Sequence, residues 1–188
     1  KGFKGGTGYG PGCGPGRTLP SVNGSTGGAG YGGVGGNGWS TAGGSTYGST
    51  NMPLMPGSGS GADHGGGFPG GGLVWIECRD WLRIDGLITV NGEDSSNRGG
   101  GGSGGGVYAT CRKVQGIGTV RANGGASDAT YGGGGGGGGR IAIAYIARLD
   151  SLTLTATNGV QRGTSLTGQP GTVMWVALAP PGTLFLVH

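Results

Sequence analysis

The stretch GGGRIAIAYIARLDSLTLTATNG, Gly137 to Gly159, sets bare glycine directly against one of the most apolar runs in the chain. Ile141, Ile143 and Tyr145 alternate with Ala142, Ala144 and Ile146, so the first segment is apolar on both faces, as a strand covered on both sides is. Beyond a short polar kink the pattern changes. Leu152, Leu154 and Ala156 fall on one face and Thr153, Thr155 and Thr157 on the other, which is the alternation of a half-exposed strand. Asn158-Gly159 then predicts a tight turn with positive backbone dihedrals.

The same order recurs along the chain. GGGLVWIECRDWLRIDGLITVNG spans Gly70 to Gly92 and GGGVYATCRKVQGIGTVRANG spans Gly104 to Gly124, while PGTVMWVALAPPGTLFLVH, a fourth copy, runs from Pro170 to His188. LPSVNG, Leu19 to Gly24, reads as a degenerate start. Two markers give the period independently: Asn91, Asn123 and Asn158 are 32 and 35 residues apart, and Cys78 and Cys111 are 33 apart. One copy cannot bury its own apolar faces, but stacked copies can. The expected fold is therefore all-β, a parallel β-helix or β-solenoid of about four coils, with an antiparallel β-sandwich as the alternative. In a stack the copies form residues 73–188, and residues 1–72 are a glycine-rich segment that packs on the stack or extends it.

Composition sets the terms of that stacking. The chain has 188 residues, of which 55 are glycine, 33% hydrophobic and 11% charged. Glycine-rich chains usually stay disordered, because glycine loses the most backbone entropy on folding and buries no side chain. Collagen is excluded, since Gly8, Gly10, Gly12, Gly14 and Gly16 are two apart and other tracts are solid glycine. If the copies stack in register, the tracts Gly92 to Gly106, Gly124 to Gly139 and Gly159 to Gly171 emerge at one corner. Packed against one another as polyglycine II-like rods, they need residues without side chains; the plainer reading is flexible surface loops. Among the aromatics of the N-terminal region, Tyr31, Trp39 and Tyr47 are candidates to cover the stack, and Met52, Leu54 and Met55 to anchor it.

A resemblance can be placed on these residues. GADHGGG from Gly61, GGGSGGGVYATC from Gly100, GIGTVRANGG from Gly116 and GGGGGGGGRIAIAY from Gly132 resemble glycine-rich repeat segments of large secreted or cell-surface bacterial proteins, and of some plant membrane-associated glycine-rich proteins. The resemblance covers roughly residues 61–145 and implies an extracellular structural setting and no reaction.

Residues of a type and pattern suited to chemistry are few. The formal net charge is +4, with twelve Lys and Arg spread along the chain, which reads as solvation and not as nucleic-acid binding. No apolar run reaches the ~18 residues of a membrane span, and a start at Lys1 reads as a processed product. Asp63-His64 lacks a nucleophile elbow, the acidic residues lack a positioned catalytic pair, and no metal- or cofactor-binding pattern is complete. The expectation is no enzyme, no cofactor and no metal.

Cys78 and Cys111, in matching positions, sit about 4.8 Å apart in stacked copies, within reach of a disulfide or as a ladder of buried thiols. Asn23-Gly24-Ser25 is a formal glycosylation sequon. The last copy is apolar to its penultimate residue, which makes Val173, Trp175, Leu184, Phe185, Leu186 and Val187 the expected assembly surface. An end without a polar cap predicts head-to-tail association with other copies of the chain. The leading expectation is a secreted structural subunit of an extracellular filament or surface layer. The second is an adhesin tip binding glycans on Trp39, Tyr31 and Tyr47. A third, ice binding, needs a threonine array on several copies, but the matching positions in the second copy are Thr119 and Arg121, and the arginine breaks it.

Overall fold

The computed structural model describes residues 2, 10–13, 25–39, 41–61, 67–96, 98–128, 132–160 and 166–181. Among these residues the regular structure is entirely β. The ten strands are β1 (Leu73–Glu77), β2 (Trp81–Arg83), β3 (Leu87–Thr89), β4 (Gly106–Thr110), β5 (Lys113–Gly116), β6 (Thr119–Arg121), β7 (Arg140–Tyr145), β8 (Ala147–Asp150), β9 (Thr153–Thr155) and β10 (Thr172–Ala177).

They form three sheets, β1-β4-β7-β10, β2-β5-β8 and β3-β6-β9, and every pairing is parallel. Parallel pairing between strands more than thirty residues apart rules out the antiparallel sandwich. In the largest sheet Leu73, Gly106, Arg140 and Thr172 fall in one row, so the offsets are 33, 34 and 32 residues, as the two sequence markers imply.

Three details depart from expectation. The polar kink is itself a strand: β2, β5 and β8 make a sheet of their own, so each of the first three copies contributes three short strands instead of two. The asparagines do not all align. Asn91 and Asn123 stack, the Asn91 Oδ1 accepting the Asn123 N–H at 2.9 Å. Arg121, however, pairs with Thr155, which places Thr157 in the column and Asn158 one residue out of it; Asn123 Oδ1 accepts from Thr157 N–H at 3.0 Å. Nor is Asn-Gly a tight turn. Among the described residues the glycines with positive φ are Gly10, Gly48, Gly116 and Gly132, not Gly92, Gly124 or Gly159. The chain runs on in extended form into the glycine tract.

Those tracts are built, not loose. Around residues 132–139 the hydrogen bonds rotate among six neighbouring stretches. The N–H groups of Gly134, Gly135 and Gly136 donate to the carbonyls of Thr26, Leu166 and Gly125, and those of Gly137, Gly138 and Gly139 donate to Ala29, Gln169 and Ala122. The carbonyls of Gly134, Gly135 and Gly136 accept from Gly101, Gly36 and Gly159. Five of the six partner stretches return three residues later, so the tract satisfies its backbone sideways instead of internally. A Cβ on Gly134, Gly136 or Gly159 would fall inside 3.0 Å of the carbonyl of Gly36, Gly102 or Gly125. Close approach, and not positive φ, is what requires glycine here.

The apolar core lies between the three sheets. Val107, Val120, Ala122 and Ile141 are buried together with Ile84 and Val90, and Ala109, Val114 and Ile143 form a second cluster with Cys111. Strand β7 is buried along almost its whole length, confirming the two-sided apolar pattern, and Leu152, Leu154 and the buried Ala156 turn toward the core. The other face of the large sheet meets the N-terminal region. Gly106 leaves room there for the backbone of Pro53 and Met55. Pro53 is buried whereas Met52 is exposed, so the anchor is the backbone path through NMPLMP and not the Met52 side chain.

Candidate functional site

Parallel sheets of this kind terminate in strands with one unpaired edge, and here the two terminal edges of the large sheet are β1 and β10. At the β1 end, Trp75 is 55% exposed and Leu87 on β3 is 58% exposed, with Leu73 and Trp81 beside them. Between β1 and β3 opens a cavity of about 510 Å³ bordered by Gly71, Gly72, Val74 and Val90. The apolar interior is reachable at this end. Large apolar side chains gathered at an unpaired strand edge form a docking surface or an aggregation liability.

The β10 end is different. Val173, Met174 and Leu178 are partly exposed, and Trp175 stands edge-on to Tyr145, ring centroids 5.7 Å apart. The guanidinium of Arg148 lies 3.7 Å from the Trp175 ring centroid and pairs with the carboxylate of Asp150 at 2.7 Å. The Asp150 side chain is fully buried and also accepts the Leu152 N–H. Arg148 takes the register position that Leu82 and Val114 hold in the earlier copies. A charged pair therefore stands at this end where the sequence reading placed only apolar residues. The inverted pattern of ARLD, with Arg148 in an aliphatic row and Leu149 exposed, was the signal for it.

Of the expected assembly residues, Val173 and Trp175 are on β10; Leu184, Phe185, Leu186 and Val187 lie outside the described residues, as do Asn23, Asp63 and His64. Cys78 and Cys111 are neighbours in adjacent copies, one position beyond the Glu77–Thr110 pair. Both are free thiols. Cys78 Sγ donates to the Trp81 carbonyl at 2.8 Å. Burial first, and the nearby Cys78 second, push the Cys111 thiol up to about 11, so it stays protonated and unreactive at neutral pH.

One constellation escaped the sequence reading. Arg140 opens β7 almost wholly buried; its Nε donates to the Tyr47 carbonyl at 3.0 Å and its Nη1 to Thr172 Oγ1 at 3.3 Å. Its guanidinium carbon lies 5.6 Å from the ring centroid of the buried Tyr31, and the Tyr31 and Tyr47 rings pack at 4.6 Å. Desolvation lowers the Arg140 pKa and raises that of Tyr31 to about 12. The Tyr47 phenol donates to the Pro56 carbonyl and accepts from Ser58 Oγ. This cluster clamps the N-terminal region onto the sheet. An arginine after eight glycines gives no local hint of a partner ninety-three residues earlier.

Comparison with protein-family models, with curated proteins and with solved structures finds no match for this chain.

Proposed function

We propose that the four copies are successive coils of a parallel β-solenoid, that its glycine tracts form a polyglycine II-like layer which residues 1–72 extend, and that the chain is a secreted structural protein. In this reading it is a subunit of an extracellular filament or surface layer assembling head to tail with copies of itself. The observation that carries the proposal is that β1 and β10 are, among the described residues, opposite unpaired edges of one parallel sheet, with exposed apolar side chains at both. Two unlike ends that fit each other do not close on themselves, and such contacts propagate as fibres. The resemblance to secreted glycine-rich repeat segments supports the extracellular setting.

Electron microscopy of the purified chain tests this. Filaments are expected with an axial repeat of about 19 Å per subunit, four strand spacings of ~4.8 Å. A monodisperse monomer in sedimentation at micromolar concentration refutes it.

A second reading, a glycan-binding adhesin tip, is favoured by Trp39, which is 64% exposed. Tyr31 and Tyr47 do not add to such a platform, since their rings pack on each other. Glycan-array binding abolished by Trp39→Ala would replace the filament reading with this one.

A further inference from the structure

We infer that a second copy of this chain docks through the large sheet, its β1 lying parallel on β10 with Leu73 opposite Thr172, Trp75 opposite Met174 and Glu77 opposite Val176. This rests on the filament reading and specifies its interface.

The register follows from a hydrogen bond that recurs at each step of the stack. Gly106 N–H donates to the Gly72 carbonyl, Arg140 N–H to Gly105 and Thr172 N–H to Gly139, each at 3.0 Å. The next in the series is Leu73 N–H of the incoming copy to the carbonyl of Gly171. Glycines line up at the same place, because a Cβ on Gly105, Gly139 or Gly171 would collide with the carbonyl of Gly72, Gly105 or Gly139. The incoming chain brings Gly72 to that position.

Donor direction agrees. Cys78 N–H bonds the Thr110 carbonyl, so by strand alternation the even-numbered N–H groups of β1 face β4 and those of Leu73, Trp75 and Glu77 face the other side, where no strand among the described residues lies. On β10, Thr172 and Leu178 donate back toward β7, leaving Val173, Trp175 and Ala177 facing outward. The side chains match as well. Val74 of the new copy extends the inward row Val74–Val107–Ile141–Val173. On the outer face Trp75 meets Met174, 37% exposed, a favourable sulfur–aromatic contact.

The sheet β2-β5-β8 cannot take part in the same way. Extending the Tyr145–Ala177 register sets Pro180 against Arg148 and Pro181 against Leu149, and proline supplies no N–H to either neighbour. The large sheet therefore carries the interface, with the glycine layer beside it.

The test is photo-cross-linking with p-benzoylphenylalanine in place of Met174, in assemblies mixed from light and nitrogen-15-labelled chains. Mass spectrometry should find residue 174 joined to the Leu73–Glu77 segment of a chain of the other label. A second variant, Trp75→Pro, removes an edge N–H that no pairing among the described residues uses. It should keep the monomer's thermal midpoint within about 2 °C and lose filaments. Filaments that form with residue 174 joined elsewhere, or that persist in Trp75→Pro, overturn this register and leave the filament reading standing. Absence of both filaments and mixed-label cross-links overturns both.

Discussion

Replacing Gly136 by alanine tests whether the glycine tracts are a packed layer. The Gly136 N–H donates to Gly125 at 2.9 Å and its carbonyl accepts from Gly159 at 2.7 Å. The added methyl would fall inside 3.0 Å of the Gly102 carbonyl, whereas ordinary contact begins at 3.4 Å. Neighbouring stretches have to part by ~1 Å, and a hydrogen bond of 2.9 Å lengthened that much is broken. Two such bonds are worth about 1 kcal/mol each, and overpacking adds roughly 1–3 kcal/mol. The smaller unfolded-state entropy of alanine returns about 0.4–1 kcal/mol. The net loss is about 2–4 kcal/mol, a fall in thermal midpoint on the order of 5–15 °C for a chain of this size.

Gly86→Ala is the control. A Cβ there meets nothing within 4 Å, and the midpoint should hold or rise slightly. Differential scanning calorimetry of the two variants decides the matter: equal midpoints would mean that the tracts are loose connectors and that close approach does not explain the glycines.

Other perturbations probe the remaining contacts. Stability should be at full value below pH 9 and fall as the pH climbs toward 11 and 12, because burial raises the Cys111 thiol to about 11 and the Tyr31 phenol to about 12. The unfolded chain gives up those protons first, at roughly pH 9 and 10, so each group removes up to ~3 kcal/mol across its window. Denaturant midpoints should show the fall shrinking in Cys111→Ala and in Tyr31→Phe. Arg140→Met, which keeps volume but loses the bonds to Tyr47 and Thr172, should cost about 2–4 kcal/mol and raise hydrogen exchange in residues 31–58. Asn123→Ala leaves the Thr157 N–H without its acceptor and should cost about 1 kcal/mol by chemical denaturation.

The repeat was legible because burial and side-chain alternation are local. Ile141 to Ile146 is apolar at every position, which suffices for a strand covered on both faces. The spacing of Cys78 and Cys111 then fixes the parallel offset to within a residue. What escaped was whatever depends on a distant partner. An extra residue in the first copy between β1 and β2 shifts the later offsets from 33 to 32, and a one-residue slip in the third moves Asn158 out of its column. Arg140 reads as a solvated charge until Tyr31 and Tyr47 close over it, and nothing beside Arg148 in the sequence announces its stacking on Trp175.

Sequence alone determined that strand-forming copies recur at a near-constant offset with glycine tracts between them; the structure decided that they pair in parallel and that close backbone approach is what requires the glycine. Tertiary structure decided which stretches become neighbours, that Asn-Gly continues as extended chain instead of turning, and which charges are buried. The physical reason is that a glycine tract has no side chain to mark its place. One such tract reads like another until each backbone N–H has found its carbonyl.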